Sequence, residues 1–398
     1  MNTTVNTTFS ERVKEQLSFK HIGKYAPYML LAVLVIFFGI VTDGKLFRPM
    51  NISNIFVNNS YLFFLSCGLF FCILTGNTDL SLGSLIGLIS AVLGYTHVTM
   101  GWPIGWSLLL CAVLGVVCGC LHGLIITKCG LTPFLTTLAA NFIYRGLCEF
   151  ILKGDSLSPL HDGLKTFAKD FILEDLRVGG INVFCAVFFV ILAAVLIVSE
   201  VRSRNIKRRY RAPMPSLVGV LVKDALILAF LGVIMYFFNS YKGVPIIVVV
   251  VGVFVAVYYF IATKSTFGRH VYAVGGSMQA AKLCGINVNR VMFLVYLNSA
   301  VLATFAAVAV CGRVNSAMTS AGDGYHMDAI CACYIGGAAG SGGSGNLLSS
   351  IVGAFIMALL LNGMTLCGLG SSLQNVCKGL ALLAAVAFDV YSRSKVSD

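Results

Sequence analysis

The sequence predicts an all-α fold: a polytopic transmembrane helix bundle with broken or re-entrant helices. Composition is the first reason. Of 398 residues, 58% are hydrophobic and only 11% charged, with a mean hydropathy of +0.89; a soluble chain of this size carries more charge at its surface. The second is the recurrence of apolar runs long enough to cross a hydrocarbon core, which takes about 20 residues. The third is a pair of polar, glycine-rich interruptions, Thr75–Ser84 (TGNTDLSLGS) and Ala338–Gly345. Lipid does not tolerate exposed irregular backbone, so such breaks must be covered by protein or face a cavity. The 41 glycines fit helices that approach one another closely.

Taken in order, residues 1–27 carry Lys14, Lys20 and Lys24 without an apolar core, and read as a cytoplasmic tail rather than a signal peptide. A first span runs from about Tyr28 to Val41, a second over Ile55–Leu74, and a third from Leu80 to Val98 after the polar break. Trp102 and Trp106 then flank a turn, as interface aromatics do. A fourth span covers Ile104–Ile126 and a fifth Pro133–Leu152, in which Arg145 and Glu149 stand four apart on one face and can pair. Asp155–Gly180 is a polar, slightly acidic insertion suited to the outer side. The sixth span, Val183–Val198, precedes Arg202, Arg204, Lys207, Arg208, Arg209 and Arg211, a cytoplasmic orientation signal with lipid binding as its alternative.

Leu221–Phe238 and Ile246–Ile261 follow as spans. Lys264, Arg269 and His270 place Gly268–Arg290 in the cytoplasm, a loop too polar to cross. Val291–Cys311 leads to an outer connection reaching about His326. A short apolar stretch, Ala329–Ala339, then Leu347–Leu366 and Leu373–Val390 complete one transmembrane domain, 28–390, ahead of a cytoplasmic tail, 391–398. This makes about ten to twelve spans, with both termini inside. Both polar breaks then follow an inward crossing, which implies repeats of the same direction. The run before GSGGSG is short, favouring a partial helix over a plain cytoplasmic turn.

Several function classes are excluded. The net charge of +12 resides mostly between spans, where it orients the chain rather than binding nucleic acid. Fourteen cysteines form no CxxC pair and read as small packing residues. His122, His270 and His326 have no metal-ligand spacing, so neither a metal nor a cofactor is expected in this chain. There is no GxxxxGK(S/T) nucleotide loop. Asp224, Asp328 and Asp389 fall near span ends, whereas a proton-driven carrier places acids or histidines within spans. The working energy is therefore expected from outside the chain, with a uniporter left open. Asp79 either organises the first break as part of a polar network or caps the third helix.

Several motifs in order resemble one family, the permease subunits of bacterial ABC importers for monosaccharides of the ribose, galactose and xylose group. TGNTDLSLGSLIGL is similar to that family's TGGIDLSVG segment, and LTPFLTTLAANFIYRGL to its TPFIVTLGTMxxxRG segment. STFGRHVYAVGGSMQAAKLCGINVNRV is similar to its cytoplasmic loop before a late span. SAGDGYHMDAICACYIGGAAGSGGSGNLLSSIVGAFIMALLLNGM and QNVCKGLALLAAVAFD are similar to its C-terminal pattern. Asn77 stands where the family has a second glycine, Ala338-Ala339 and Ser344 depart from its C-terminal turn, and Asp155–Ser240 is longer than in the ribose type. Overall length resembles the xylose or multiple-sugar type.

The resemblance implies a permease that receives a pentose or hexose from an extracytoplasmic binding protein and is driven by cytoplasmic ATPases. It implies a second permease subunit, most simply a homodimer, in lipid of the bacterial inner membrane. Ala273–Gly285 becomes the ATPase-coupling segment, with Gly275, Gly276, Met278, Gln279, Lys282 and Leu283 as its residues; the alternative is a plain connector. Asn77, Thr78, Asp79, Ser81, Asn141, Arg145 and Asn298 supply the donors and acceptors a sugar path needs. Gly76, Gly83, Gly336, Gly337, Gly342 and Gly343 are the helix-break glycines. The competing readings are an ATP-independent secondary sugar carrier or facilitator and a non-transporting receptor or scaffold.

Overall fold

SYLFFLSCGLFFCIL, Ser60–Leu74, has no polar face, and a helix of that composition must be surrounded on all sides by protein or lipid. In the computed structural model all fifteen of its residues are buried, and the other elements are arranged about it. Residues 19–210 and 217–397 are described. Most of the expected N-terminal tail (1–18, with Lys14), Arg211 of the basic segment and Asp398 lie outside the described residues.

In chain order the helices are α1 Phe19–Val41, α2 Pro49–Asn58, α3 Ser60–Leu74, α4 Leu82–Gly94, α5 Ile104–Lys128 and α6 Pro133–Leu152. The insertion holds α7 Asp162–Lys169 and a hairpin of β1 Arg177–Val178 and β2 Ile181–Asn182, paired antiparallel. Then come α8 Val183–Arg209, α9 Leu217–Ser240, α10 Ile246–Lys264, α11 Thr266–Gly276, α12 Met278–Leu283 and α13 Val288–Val314. The chain closes with α14 Tyr325–Ile335, α15 Leu347–Leu366 and α16 Ser371–Ser397. Proline opens α2 and α6 at their first position, where its missing N–H costs nothing.

Among the described residues seven helices are long and apolar enough to cross a membrane, or eight if α2 and α3, bent by 43° at Asn59, form one span. The other stretches read as spans are helical but shorter or more polar. α6, for example, carries Arg145 and Glu149.

Small residues set the packing. Gly115, Gly119 and Gly123 of α5 repeat every fourth position and face Thr304, Ala300 with Leu297, and Phe293 of α13. The descending order of the partners makes the pair antiparallel and brings the backbones close. α13 also lies along α3: at Gly68 an added Cβ would stand 3.2 Å from the Cα of Ser299. α7 covers Gly312 near the end of α13 through Leu164 and Ala168. α8 and α9 form a peripheral hairpin, largely unburied, joined to the body where the Phe238 ring meets Phe56 edge-on at 5.5 Å. A reciprocal amide pair, Asn51 with Asn362 at 3.0 and 2.9 Å, ties α2 to α15.

Candidate functional site

The first break starts where α3 ends. Gly76 adopts φ 75°, its N–H bonds to the carbonyl of Ile73 at 2.9 Å, and the N–H of Asn77 bonds to Cys72 at 3.1 Å. This is the Schellman closure, which needs the left-handed conformation that glycine adopts without strain. The chain then turns back beside α3. Asp79, wholly buried, accepts from the Ser299 hydroxyl at 3.3 Å through Oδ2. Because Ser299 sits at Gly68, the carboxylate lies about 9 Å back along α3 from Leu74, six residues of helical rise. Its Oδ1 accepts the Ser81 N–H at 3.0 Å and the Ser81 hydroxyl at 2.6 Å. Asp79 thus ties the backbone entering α4 to α13 in one polar network, and it does not cap the helix: the N-cap position of α4 is Ser81, with no side-chain cap bond.

The second break repeats the first. At the end of α14, Gly337 has φ 80°, its N–H bonds to Tyr334 at 2.9 Å, and the Ala338 N–H bonds to Cys333 at 3.0 Å. α14 runs in the same direction as α3. The Tyr61 and Tyr325 rings stack at 3.8 Å, Cys333 Sγ points to the Ser66 carbonyl at 3.7 Å, and the Gly343 N–H bonds to the Leu74 carbonyl at 2.8 Å. Eleven residues rise only about 16 Å, so α14 is a partial helix. GSGGSG is an ordered turn, closed by Ala339 N–H to Ser344 and Gly342 N–H to Ala339, both at 2.9 Å.

The connection before α14 differs from the outer loop expected. Ala317 meets α4 at Gly94, Ala321 at Gly87 and Gly322 at Gly83, so residues 317–324 descend along α4 into the body. Small residues on both sides permit that descent. His326 then stands with Nδ1 2.6 Å from where a Gly83 Cβ would be.

The segment from Thr266 to Leu283 reaches both breaks. Ser265 and Ser277 cap α11 and α12, accepting from Gly268 N–H at 3.0 Å and Ala280 N–H at 3.2 Å. The end of α11 lies against the two turns. A Cβ on Gly275 would overlap the Leu74 carbonyl, 2.6 Å from Gly343 N, and one on Gly342 would be 2.8 Å from Gly76 N and 3.0 Å from Gly275 O. The Tyr272 hydroxyl donates to the Gly345 carbonyl at 2.9 Å. Three turns far apart in sequence form one glycine junction. Gly336 has a separate task, admitting α15 at Ser349 and Ser350. Beyond the junction Met278, Gln279 and Lys282 are exposed and Leu283 is 90% exposed, while Ala281 faces inward. Sequence reasoning treated Gly275 and Gly276 alike, but a Cβ on Gly276 would meet nothing within 4 Å.

The remaining path candidates are dispersed. Asn77 turns its amide back to Thr75 at 2.9 Å, and Thr78 is half-buried beside it. Asn141 on α6 bonds to the Ser84 hydroxyl on α4, next to the Asp79 network. Arg145 pairs with Glu149, as its spacing predicts, and also with Asp323 before α14, each at 3.1 Å. Asn298 accepts from the Tyr258 hydroxyl, on the α10 side of α13. The sequence reading missed two buried polar contacts. His122 Nε2 meets the Tyr144 hydroxyl at 3.1 Å. Asp328, placed near a span end by hydropathy, is fully buried against Lys378 and Tyr61. Among the described residues no group of three His, Cys, Asp or Glu converges as metal ligands would.

A multi-pass bundle with two matched broken helices, and a helix seated on both breaks that leads into a short exposed one, has the architecture of a transport permease. The chain belongs to the family described as "Branched-chain amino acid transport system / permease component", whose profile matches residues 51–205 and 217–386. It is 32% identical to the xylose transport system permease protein XylH of Haemophilus influenzae over 385 residues, 96% of this chain and 100% of that one. It is 30% identical to XylH of Escherichia coli K12, covering 91% of this chain and 90% of the relative. The ribose import permease protein RbsC of Bacillus subtilis is 29% identical, covering 92% of both. No solved structure gives a significant match.

Proposed function

We propose that this chain is the transmembrane permease subunit of an ATP-driven importer of monosaccharides, pentoses first. The family description names amino acids, but the relatives aligned over nearly their whole length are named for xylose and ribose systems, and the longer alignment is the more specific guide. The observation that carries the energy-coupling part is the glycine junction. α11 rests through Gly275 on both broken helices and leads directly into the exposed helix α12, so a cytoplasmic ATPase gripping Met278, Gln279, Lys282 and Leu283 acts on the two breaks together through α11.

In this reading a sugar-binding protein delivers the ligand on the outer face and a second copy of the permease completes the path. The protein works in the bacterial inner membrane, with both termini cytoplasmic. Asp79 and Ser81 organise the path wall at the start of α4, Asn141 adds an amide beside them, and Asn77, Thr78, Arg145 and Asn298 are further candidates outside that cluster. Specificity resides mainly in the binding protein, because Asp79, Ser81, Ser84 and Asn141 near the start of α4 are already paired with one another or with Ser299.

The test is reconstitution in proteoliposomes with the cognate ATPase and binding protein, following labelled xylose, ribose and galactose. Uptake is expected only with ATP and both partners. Gradient-driven uptake by the chain alone would refute the proposal in favour of a self-sufficient carrier.

A further inference from the structure

Asp79 and Asp328 are the two buried carboxylates among the described residues. The first is satisfied by hydroxyls and backbone. The second is different: in the first turn of α14, its Oδ2 receives Lys378 Nζ at 3.1 Å and the Tyr61 hydroxyl at 3.2 Å, while Oδ1 has no partner in the structure. Lys378, on α16, is only 18% exposed. A carboxylate is well placed at a helix N-terminus, yet an ion pair withdrawn from water holds helices no more tightly than apolar side chains of similar volume. Ionisable groups in a membrane bundle are costly and mark function. The pair therefore calls for a role beyond adhesion.

Its position supplies one. α14 is not continued by helix at either end, since irregular backbone precedes Tyr325 and follows Ile335. At its start it is tied to α16 by Lys378 and to α3 by Tyr61, whose ring also stacks on Tyr325. At its end it carries the turn that meets Gly275 and bonds to Leu74. At the anchored end, two residues before Asp328, it brings His326 against Gly83, in the first turn of α4. A rod held at one end and pushed at the other pivots; a rod free at both ends drifts.

We propose that Asp328, Lys378 and Tyr61 form a latch that holds one end of α14, so that α14 serves as the lever between the cytoplasmic coupling turn and the start of α4. These are positioning residues, and the inference rests on the ATP-driven importer reading. Loss of the latch uncouples: the ATPase turns over, but its cycle moves less sugar.

The measurement is sugar transported per ATP hydrolysed in proteoliposomes holding the full complex. D328N/K378M removes the link without leaving a lone buried charge, so the complex assembles. Its ratio falls about tenfold, the size of a modest allosteric coupling, with ATPase stimulation by the loaded binding protein retained. K378R keeps the cation and holds the ratio near wild type. A D328N/K378M ratio within about twofold of wild type, below the usual range of such couplings, overturns the latch, as does an equal loss in K378R. Should the double variant fail to assemble, Y61F, which deletes one hydroxyl and keeps the ring stack, decides. A lowered ratio at unchanged KM supports the latch, and a wild-type ratio overturns it. Wild-type complex without ATP-dependent uptake removes the importer reading and the latch with it.

Discussion

Gly275→Ala isolates the junction with a single methyl group. In the structure the added carbon would lie 2.8 Å from the carbonyl carbon of Leu74 and 2.6 Å from the Gly343 nitrogen. Ordinary carbon–carbon contact is about 3.5–4.0 Å, and the Leu74 carbonyl oxygen lies nearer still, so α11 and the end of α3 must part by more than about 1 Å. The obstructing atoms are backbone, which cannot rotate aside as a side chain does. Parting them strains a close-packed contact, at about 1–3 kcal/mol, and weakens the bond from Gly343 N–H to Leu74, a further ~1 kcal/mol. Against this, alanine favours the helix over glycine by about 1 kcal/mol. The net expectation is a loss of about 1–3 kcal/mol, combining those values. Gly276→Ala is the control: it is also in the last turn of α11 but meets nothing within 4 Å, so it keeps only the helix preference, a gain of up to about 1 kcal/mol. Thermal unfolding of the two variants in detergent gives the stability order, and ATP-driven uptake in proteoliposomes gives the coupling. G275A is expected to be lower in both. Equal stability and equal uptake in the two variants would refute a junction built on backbone contact.

Two further outcomes follow from named contacts. Asp79→Asn retains an oxygen for the Ser81 N–H and an amide that can donate to Ser299, whereas Asp79→Ala strands both serine groups in a buried site, costing about 1–3 kcal/mol. Unfolding temperatures should rank wild type, then Asn, then Ala, and equal values for Asn and Ala would deny Asp79 its organising role. In the turn after α9, the hydrogen bond from Lys242 to Glu174 at 3.0 Å, aided by the charge attraction, raises the lysine pKa above its ordinary 10.5. That contribution is present at neutral pH and is lost as pH rises through the raised value, so wild type and E174Q should converge in stability only at strongly alkaline pH. Because the lysine is exposed, salt should shrink the difference; a gap that persists at high pH and high salt would show another cause.

The first break was legible because its chemistry is local. Gly76, Asn77, Thr78 and Asp79 interrupt an apolar run, and the Schellman closure and the return of the chain follow from those residue types. The direction of the second break was legible for the same reason: Gly336-Gly337 ends a short apolar stretch as Gly76 does. What stayed hidden depends on partners distant in sequence. Hydropathy began the short helix at Ala329, but α14 starts at Tyr325, because Asp328 is matched by Lys378 and Tyr61, 50 and 267 residues away. The descent of residues 317–324 relies on Gly83, Gly87 and Gly94, whose spacing reads locally as ordinary helix packing. Gly275 and Gly276 are adjacent and chemically identical, so only the tertiary neighbour tells the glycine that must be small from the one that need not be.

The composition of the junction bears on how force passes through it. A contact between long side chains absorbs small displacements by changing rotamers, each soft by about 1 kcal/mol. The contact among Gly275, Leu74, Gly342 and Gly343 is backbone against backbone, and packed backbone resists compression as a solid does. A movement of α12 therefore reaches the ends of α3 and α14 with little loss. From there the two helices carry it differently. α3 is buried along its whole length and resists translation, whereas α14 is short and has irregular backbone at both ends. The same push should leave α3 as the fixed post and rotate α14 about its Asp328 end, carrying the turn at Gly337 and, beside the pivot, the His326 contact on Gly83. Asp79, bonded to Ser81 and Ser299, keeps the start of α4 registered to the post and to α13. The two breaks share one cap motif and one direction, but burial assigns them opposite duties: one holds still so that the other can move.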